Sequence, residues 1–135
     1  MIRISLLIRP KDTAEDFDYE KIRDNIVVDL KSKLGLELKS IDIDASSIYG
    51  VGGSLYSEHI TFDARGHSGI DSVCVEFCKE DKSTTFKSVK VIKVSLKNEL
   101  VGRKQIVSFS KKLLSIFLTN TNNTEYKKTL EYMHP

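Results

Sequence analysis

The chain has 135 residues, 40% hydrophobic and 30% charged, with a net charge of +2, a composition that excludes a disordered or low-complexity chain and suits one globular domain over 1–135. Two cysteines without a framework of spacings exclude a small disulfide-stapled secreted module and suit a reducing compartment. The run ISLLI before Arg9 is too short for a signal-peptide core and no run approaches a membrane span, so a cytoplasmic protein without a membrane partner is expected.

Residues 1–9 place Ile2, Ile4, Leu6 and Ile8 on one face before Pro10, which predicts a strand. After the polar stretch KDTAED, Tyr19, Ile22, Ile26, Leu30 and Leu34 recur at spacings of three and four, one face of a helix. Asp18 is placed to cap its first turn, Phe17 to pack on Ile22, and Gly35 to take the left-handed position that ends it. Then SIDIDA sets Ile41, Ile43 and Ala45 against Asp42 and Asp44, a second strand at about 38–45. Beyond the loop SSIYGVGGSL, Tyr56, Ile60, Phe62 and Ala64 alternate with Ser57, His59, Thr61 and Asp63, a half-buried strand. The glycines of ARGHSGID mark a hairpin turn, and SVCVEFC returns with Val73, Val75 and Phe77 inward.

Residues 83–97 are ambiguous. Ile92, Val94 and Leu96 alternate, whereas Phe86, Val89 and Leu96 also fit a helix; the β-branched content favours a strand. Asn98 is placed to cap a helix carrying Ile106, Phe109, Leu113, Ile116 and Phe117, which ends at TNTNNT. Tyr126, Leu130 and Met133 suggest a short amphipathic tail packed on the body. The expected class is α+β: a single mixed or antiparallel sheet of about five strands, in the order β-α-β-β-β-β-α, covered by two long helices. A right-handed parallel crossover is expected between the first two strands.

The stretch HITFDARGHSGIDSVCVEFC, residues 59–78, gathers two histidines, two aspartates and both cysteines. On strands, however, Cys74 and Cys78 stand about 13 Å apart, too far to share a zinc ion or form a disulfide. His59 and Asp63 have the same separation. Asp42 and Asp44, about 6–7 Å apart along one strand, have the spacing of a cation-binding or acid/base pair, and equally that of any strand with one wet face. Glu76 is followed by Phe77, Cys78 and Lys79, which misses a nuclease-type Glu-x-Lys by one position. The glycines of YGVGGS lead into a strand rather than a helix and carry no nearby Lys, unlike a phosphate-binding loop. No nucleophile elbow surrounds any Ser. No catalytic residue, metal or cofactor is therefore assigned.

Charge is segregated. Residues 12–44 carry ten acids against five bases, and residues 82–112 carry nine bases against the single acid Glu99. Lys87, Lys90, Lys93, Lys97, Arg103 and Lys104 form a candidate nucleic-acid-binding set, although Lys predominates and stacking aromatics are few. Asp16, Asp18, Glu20, Asp24, Asp42 and Asp44 form a candidate acidic face for a basic protein partner.

Sixteen Lys against five Arg, thirteen Ile and three Ala point to an AT-rich gene of bacterial or phage type. With small size, charge segregation and no catalytic signature, this profile resembles that of bacterial immunity proteins, including those paired with contact-dependent growth inhibition toxins, and of phage-encoded inhibitors of host defence. The resemblance implies a non-enzymatic inhibitor that occludes the active site of a toxin domain, with helix 18–34 and loop 46–55 at the interface. The alternatives are a nucleic-acid-binding accessory protein using the lysines of 82–112, and a metal-dependent hydrolase using Asp42, Asp44, His59 and Asp63.

Overall fold

A computed structural model describes residues 2–10, 18–47, 54–67, 69–80, 84–97, 102–121 and 124–132. The elements run β1 (Ile2–Pro10), α1 (Tyr19–Leu34), β2 (Glu37–Ser47), β3 (Ser54–Asp63), β4 (Ile70–Glu80), β5 (Phe86–Leu96), α2 (Arg103–Thr121) and β6 (Thr124–Tyr132). The strands form one sheet in the order β2-β3-β4-β5-β1-β6, and every neighbouring pair is antiparallel. Both helices pack on one side of it, around a core that includes Leu6, Ile8, Ile26, Leu30, Phe62, Val75, Phe77, Val89, Ile106 and Phe117.

The local signals explain the elements. Asp18, in extended conformation, accepts a hydrogen bond from the Lys21 amide at 2.9 Å and so satisfies one of the free donors of the first turn of α1. Gly35 at φ 63° ends the helix, and the Leu36 amide then donates to the Leu30 carbonyl at 3.1 Å, which directs Leu36 into the core. Near the end of α2, Asn120 donates to Asp29 of α1 at 2.9 Å and joins the two helices. His67, in the β3–β4 turn, bonds the Leu34 carbonyl at 2.6 Å and lies edge-on to Phe109 of α2, fastening the turn to both helices.

The α+β class, with two helices over an antiparallel sheet, is as expected, while the strand count and one connection are corrected. There are six strands rather than about five, because residues 124–132 are not an amphipathic tail but pair with the whole of β1, from Ile2↔Tyr132 to Pro10↔Thr124. Strand β1 has β5 on its other side, so the C-terminal segment satisfies a backbone edge that would otherwise be open. No parallel neighbours form between the first two strands: the connection through α1 carries the chain from β1 across to β2 at the far edge of the sheet.

The ambiguity of 83–97 also has a physical cause. Register is lost between Cys78 and Lys79 and between Cys74 and Val75 of β4, so Lys87 and Ile92 of β5 have no direct partner and bulge. Each bulge shifts the facing by one residue. Phe86, Val89, Val91 and Val94 therefore all point inward at spacings of three and two, which imitates a helical period. The expected staple at Phe17, cap at Asn98 and glycine loop at 49–54 fall wholly or largely outside the described residues.

Candidate partner-binding surface

Among the described residues, no helix packs on the opposite side of the sheet, here called the open side, and the polar positions of four strands line up across it. Asp42 of β2 pairs with His59 of β3, His59 with Glu76 of β4, and Glu76 with Lys90 of β5. The Glu76 carboxylate is the hub of this row. It accepts from His59 Nε2 at 2.7 Å and from the Cys78 thiol at 3.2 Å, and Lys90 Nζ stands 3.4 Å away. Partial burial acts to raise its pKa, but the thiol, Lys90 and His59 outweigh that and hold it below the usual carboxylate range.

The chemistry of the two thiols follows from the same surroundings. Burial is the main cause that pushes both Cys74 and Cys78 above the usual thiol range, and the neighbouring carboxylates add to it. A nucleophilic cysteine needs the reverse, a stabilised thiolate. Both thiols are free and lie along one strand, as their four-residue separation requires. Among the described residues, no three His, Cys, Asp or Glu side chains are placed to hold a metal ion. Of the residues considered for a hydrolase, Asp42 and His59 are register neighbours, whereas Asp63 is tied to Arg65, whose side chain and amide it accepts at 2.7 and 2.9 Å. Those bonds depress the Asp63 pKa.

The acidic set does not share one face. Asp18 is engaged as the helix cap, Glu20 and Asp24 are exposed on α1, and Asp42 is exposed on the open side of β2. Asp24 pairs with Arg23 at 3.0 Å. Asp44 occupies the position opposite Ser57 on β2; its side chain, all of Asp16 and most of loop 46–55 lie outside the described residues.

The basic set is divided as well. Lys90 and Lys93 stand on the open side of β5, Lys87 occupies a bulge, and Lys97 reaches the Arg65 carbonyl at 3.4 Å. Lys104 is exposed on α2, in the layer on the other side of the sheet, where it lines a depression with Lys111 and Lys112. Arg103 opens α2, and its side chain lies outside the described residues.

Two features escaped sequence reading. The first is ionic. Glu58, in phase with the apolar residues of β3, is buried on the helix side, where its Oε1 accepts from Tyr19 Oη at 2.5 Å and from Arg23 Nη1 at 2.7 Å. Burial, then the bond to Glu58, holds the Tyr19 phenol far above its usual range. For Arg23 burial acts to lower the pKa, and the bonds to Glu58 and Asp24 more than reverse it. Lys79 Nζ lies 4.9 Å from the Tyr56 ring centroid and 5.6 Å from that of Tyr19. The only sign in the sequence is a Glu in phase with Tyr56, Ile60 and Phe62.

The second feature is apolar. Leu38, Ile41 and Ile43 of β2 point to the helix side, in register with Phe62, Ile60 and Glu58, yet they are 43%, 50% and 64% exposed. The helix layer stops short of β2. Among the described residues, no strand pairs with the outer edge of β2. Exposed Glu20 and Asp24 lie on α1, whereas Glu37 and Asp42 occupy the other side of β2, in register with Asp63 and His59. No family model, no curated protein and no solved structure matches this chain.

Proposed function

We propose that this chain is a non-enzymatic binding protein of the immunity type, which captures a basic protein partner such as a toxin domain and covers that partner's working surface. The observation that carries this reading is the ledge of Leu38, Ile41 and Ile43, three neighbouring apolar side chains left in water on the helix side of the edge strand, the side on which α1 exposes Glu20 and Asp24. Contiguous exposed apolar surface with a polar rim favours a protein interface over a solvated face. Acidic groups at the rim mainly hasten encounter with a basic partner and exclude wrong ones.

The division of the lysines between the open face and α2 weighs against the nucleic-acid alternative, because a phosphate backbone gains most from bases gathered along one track. The raised thiols and the engagement of Asp63 with Arg65 weigh against a nucleophilic or metal-dependent hydrolase built on these groups.

Affinity capture from nuclease-treated lysate of the source organism tests the proposal. The expected result is one stoichiometric protein whose retention falls when Glu20 and Asp24 are reversed to Lys and when Ile43 is changed to Glu. Nucleic acid recovered before nuclease treatment, lost on Lys90→Glu with Lys93→Glu, and no protein partner, would overturn it.

A further inference from the structure

Strand β2 combines three properties along one edge. Its outer backbone is unpaired among the described residues, its helix-side positions Leu38, Ile41 and Ile43 are apolar and exposed, and its open-side position 42 is an exposed Asp, with Asp44 next in phase. Proteins commonly blunt such edges with Lys, Pro or a bulge. Here a bulge at Lys39 protects only the start of β2, where register shifts between Leu38 and Ser40. From Ser40 to Ser47 the pairing with β3 is regular, so the outer edge there has the even geometry that accepts another strand.

We propose that β2 receives an extended strand of the partner protein, one that alternates basic and apolar residues. Its bases face Asp42 on the open side, and its apolar residues cover Ile41 and Ile43 on the helix side. Main-chain hydrogen bonds extend the six-stranded sheet by a seventh strand, and the alternation of side chains sets its specificity. This deepens the protein-binding reading above and rests on it.

Charge decides between occupants. A second copy joined antiparallel through β2 in the register that matches apolar positions with apolar ones would bring the acidic positions 42 and 44 of one copy beside those of the other, and a one-residue slip would instead set them against Ile41 and Ile43. Like charges across strands are destabilising. A strand carrying Lys or Arg at alternate positions reverses the sign of that term and leaves the apolar match intact. The acids of β2 therefore act against self-association while leaving the edge open to a basic partner.

The test uses the full chain and a short synthetic peptide that alternates lysine and valine, with a control peptide of the same composition in which the lysines are grouped in one block. Amide hydrogen exchange along β2 is followed with each. The alternating peptide should protect amides between Ser40 and Ser47 and leave those of β6 unchanged. Asp42→Lys should weaken its binding by roughly tenfold or more, and Ile43→Glu should do likewise; both side chains are exposed, so both variants should fold as the parent does. Equal binding of the block peptide, without protection of β2, would show attraction by charge alone and overturn the strand proposal. A captured protein partner that leaves β2 amides unprotected would overturn it too, while sparing the protein-binding reading. A chain that sediments as a dimer and becomes monomeric with Ile43→Glu would replace the proposed occupant with a second copy. If neither peptide nor any protein binds, both readings fall.

Discussion

Ile41 of β2 and Ile60 of β3 are directly paired and point to the same side of the sheet, yet Ile60 is 2% exposed and Ile41 is 50% exposed. The boundary of the hydrophobic core passes between these two side chains. On one side of it α1 and α2 exclude water; on the other a single edge strand presents an apolar surface to it.

The two isoleucines should therefore respond differently to truncation. Ile60→Ala should cost about 2–5 kcal/mol, as deletions of buried methyl groups do. Ile41→Ser should stay within about 0.5 kcal/mol of the parent. Urea unfolding followed by far-UV circular dichroism measures both, and equal losses would mean that Ile41 is covered.

The Arg23–Glu58 pair predicts a non-additive cycle. Arg23→Leu alone removes the guanidinium from the buried Glu58 carboxylate while the Tyr19 hydroxyl stays, and should destabilise by about 3 kcal/mol. Adding Glu58→Leu removes the buried charge and should recover most of that loss, leaving the double variant more stable than the Arg23 single variant. A double variant as unstable as the sum of the two singles would show that the pair does not act as a unit.

Stability should decline at both ends of the pH range, for opposite reasons. Glu76 is held below its ordinary pKa, so the folded chain binds fewer protons there than the unfolded one. Its contribution is complete above the unfolded value of about 4.3 and fades as pH falls through the lower folded value. Cys74 and Cys78 are held above theirs, so their contribution is complete below about 8.5 and fades as pH rises through the folded values. Glu76→Gln should flatten the acid limb of a stability profile, and Cys74→Ala with Cys78→Ala should flatten part of the alkaline limb. The same shifts predict that iodoacetamide modifies both native thiols more slowly than free cysteine at pH 8.

Gly35 offers a test of backbone conformation separated from packing. A Cβ built there meets no atom within 4 Å, so the only penalty for Gly35→Ala is its left-handed φ of 63°. The expected loss is about 1 kcal/mol, without change in the denaturant slope. A larger loss would require contacts that the surroundings of Gly35 do not contain.

What the sequence determined by itself was local. Helix α1 was legible from Asp18 to Gly35 because both caps and the apolar stripe depend on neighbours within a few residues, and the period-two strands told which residues share a side for the same reason. The bulges at Lys87 and Ile92 blurred β5, because a bulge is set by the partner strand rather than by the bulged residues. The sixth strand was hidden because Tyr126 and Leu130 fit a helical spacing, and only the free edge of β1 gave that segment a use for its backbone donors and acceptors. The row Asp42, His59, Glu76 and Lys90 could not be read from its members, since cross-strand register depends on turns and bulges between them. Tertiary structure alone decided which apolar positions are core. Ile41 and Ile60 show the same alternation, but only Ile60 has a helix above it, and periodicity records the side to which a residue points, not whether anything covers it.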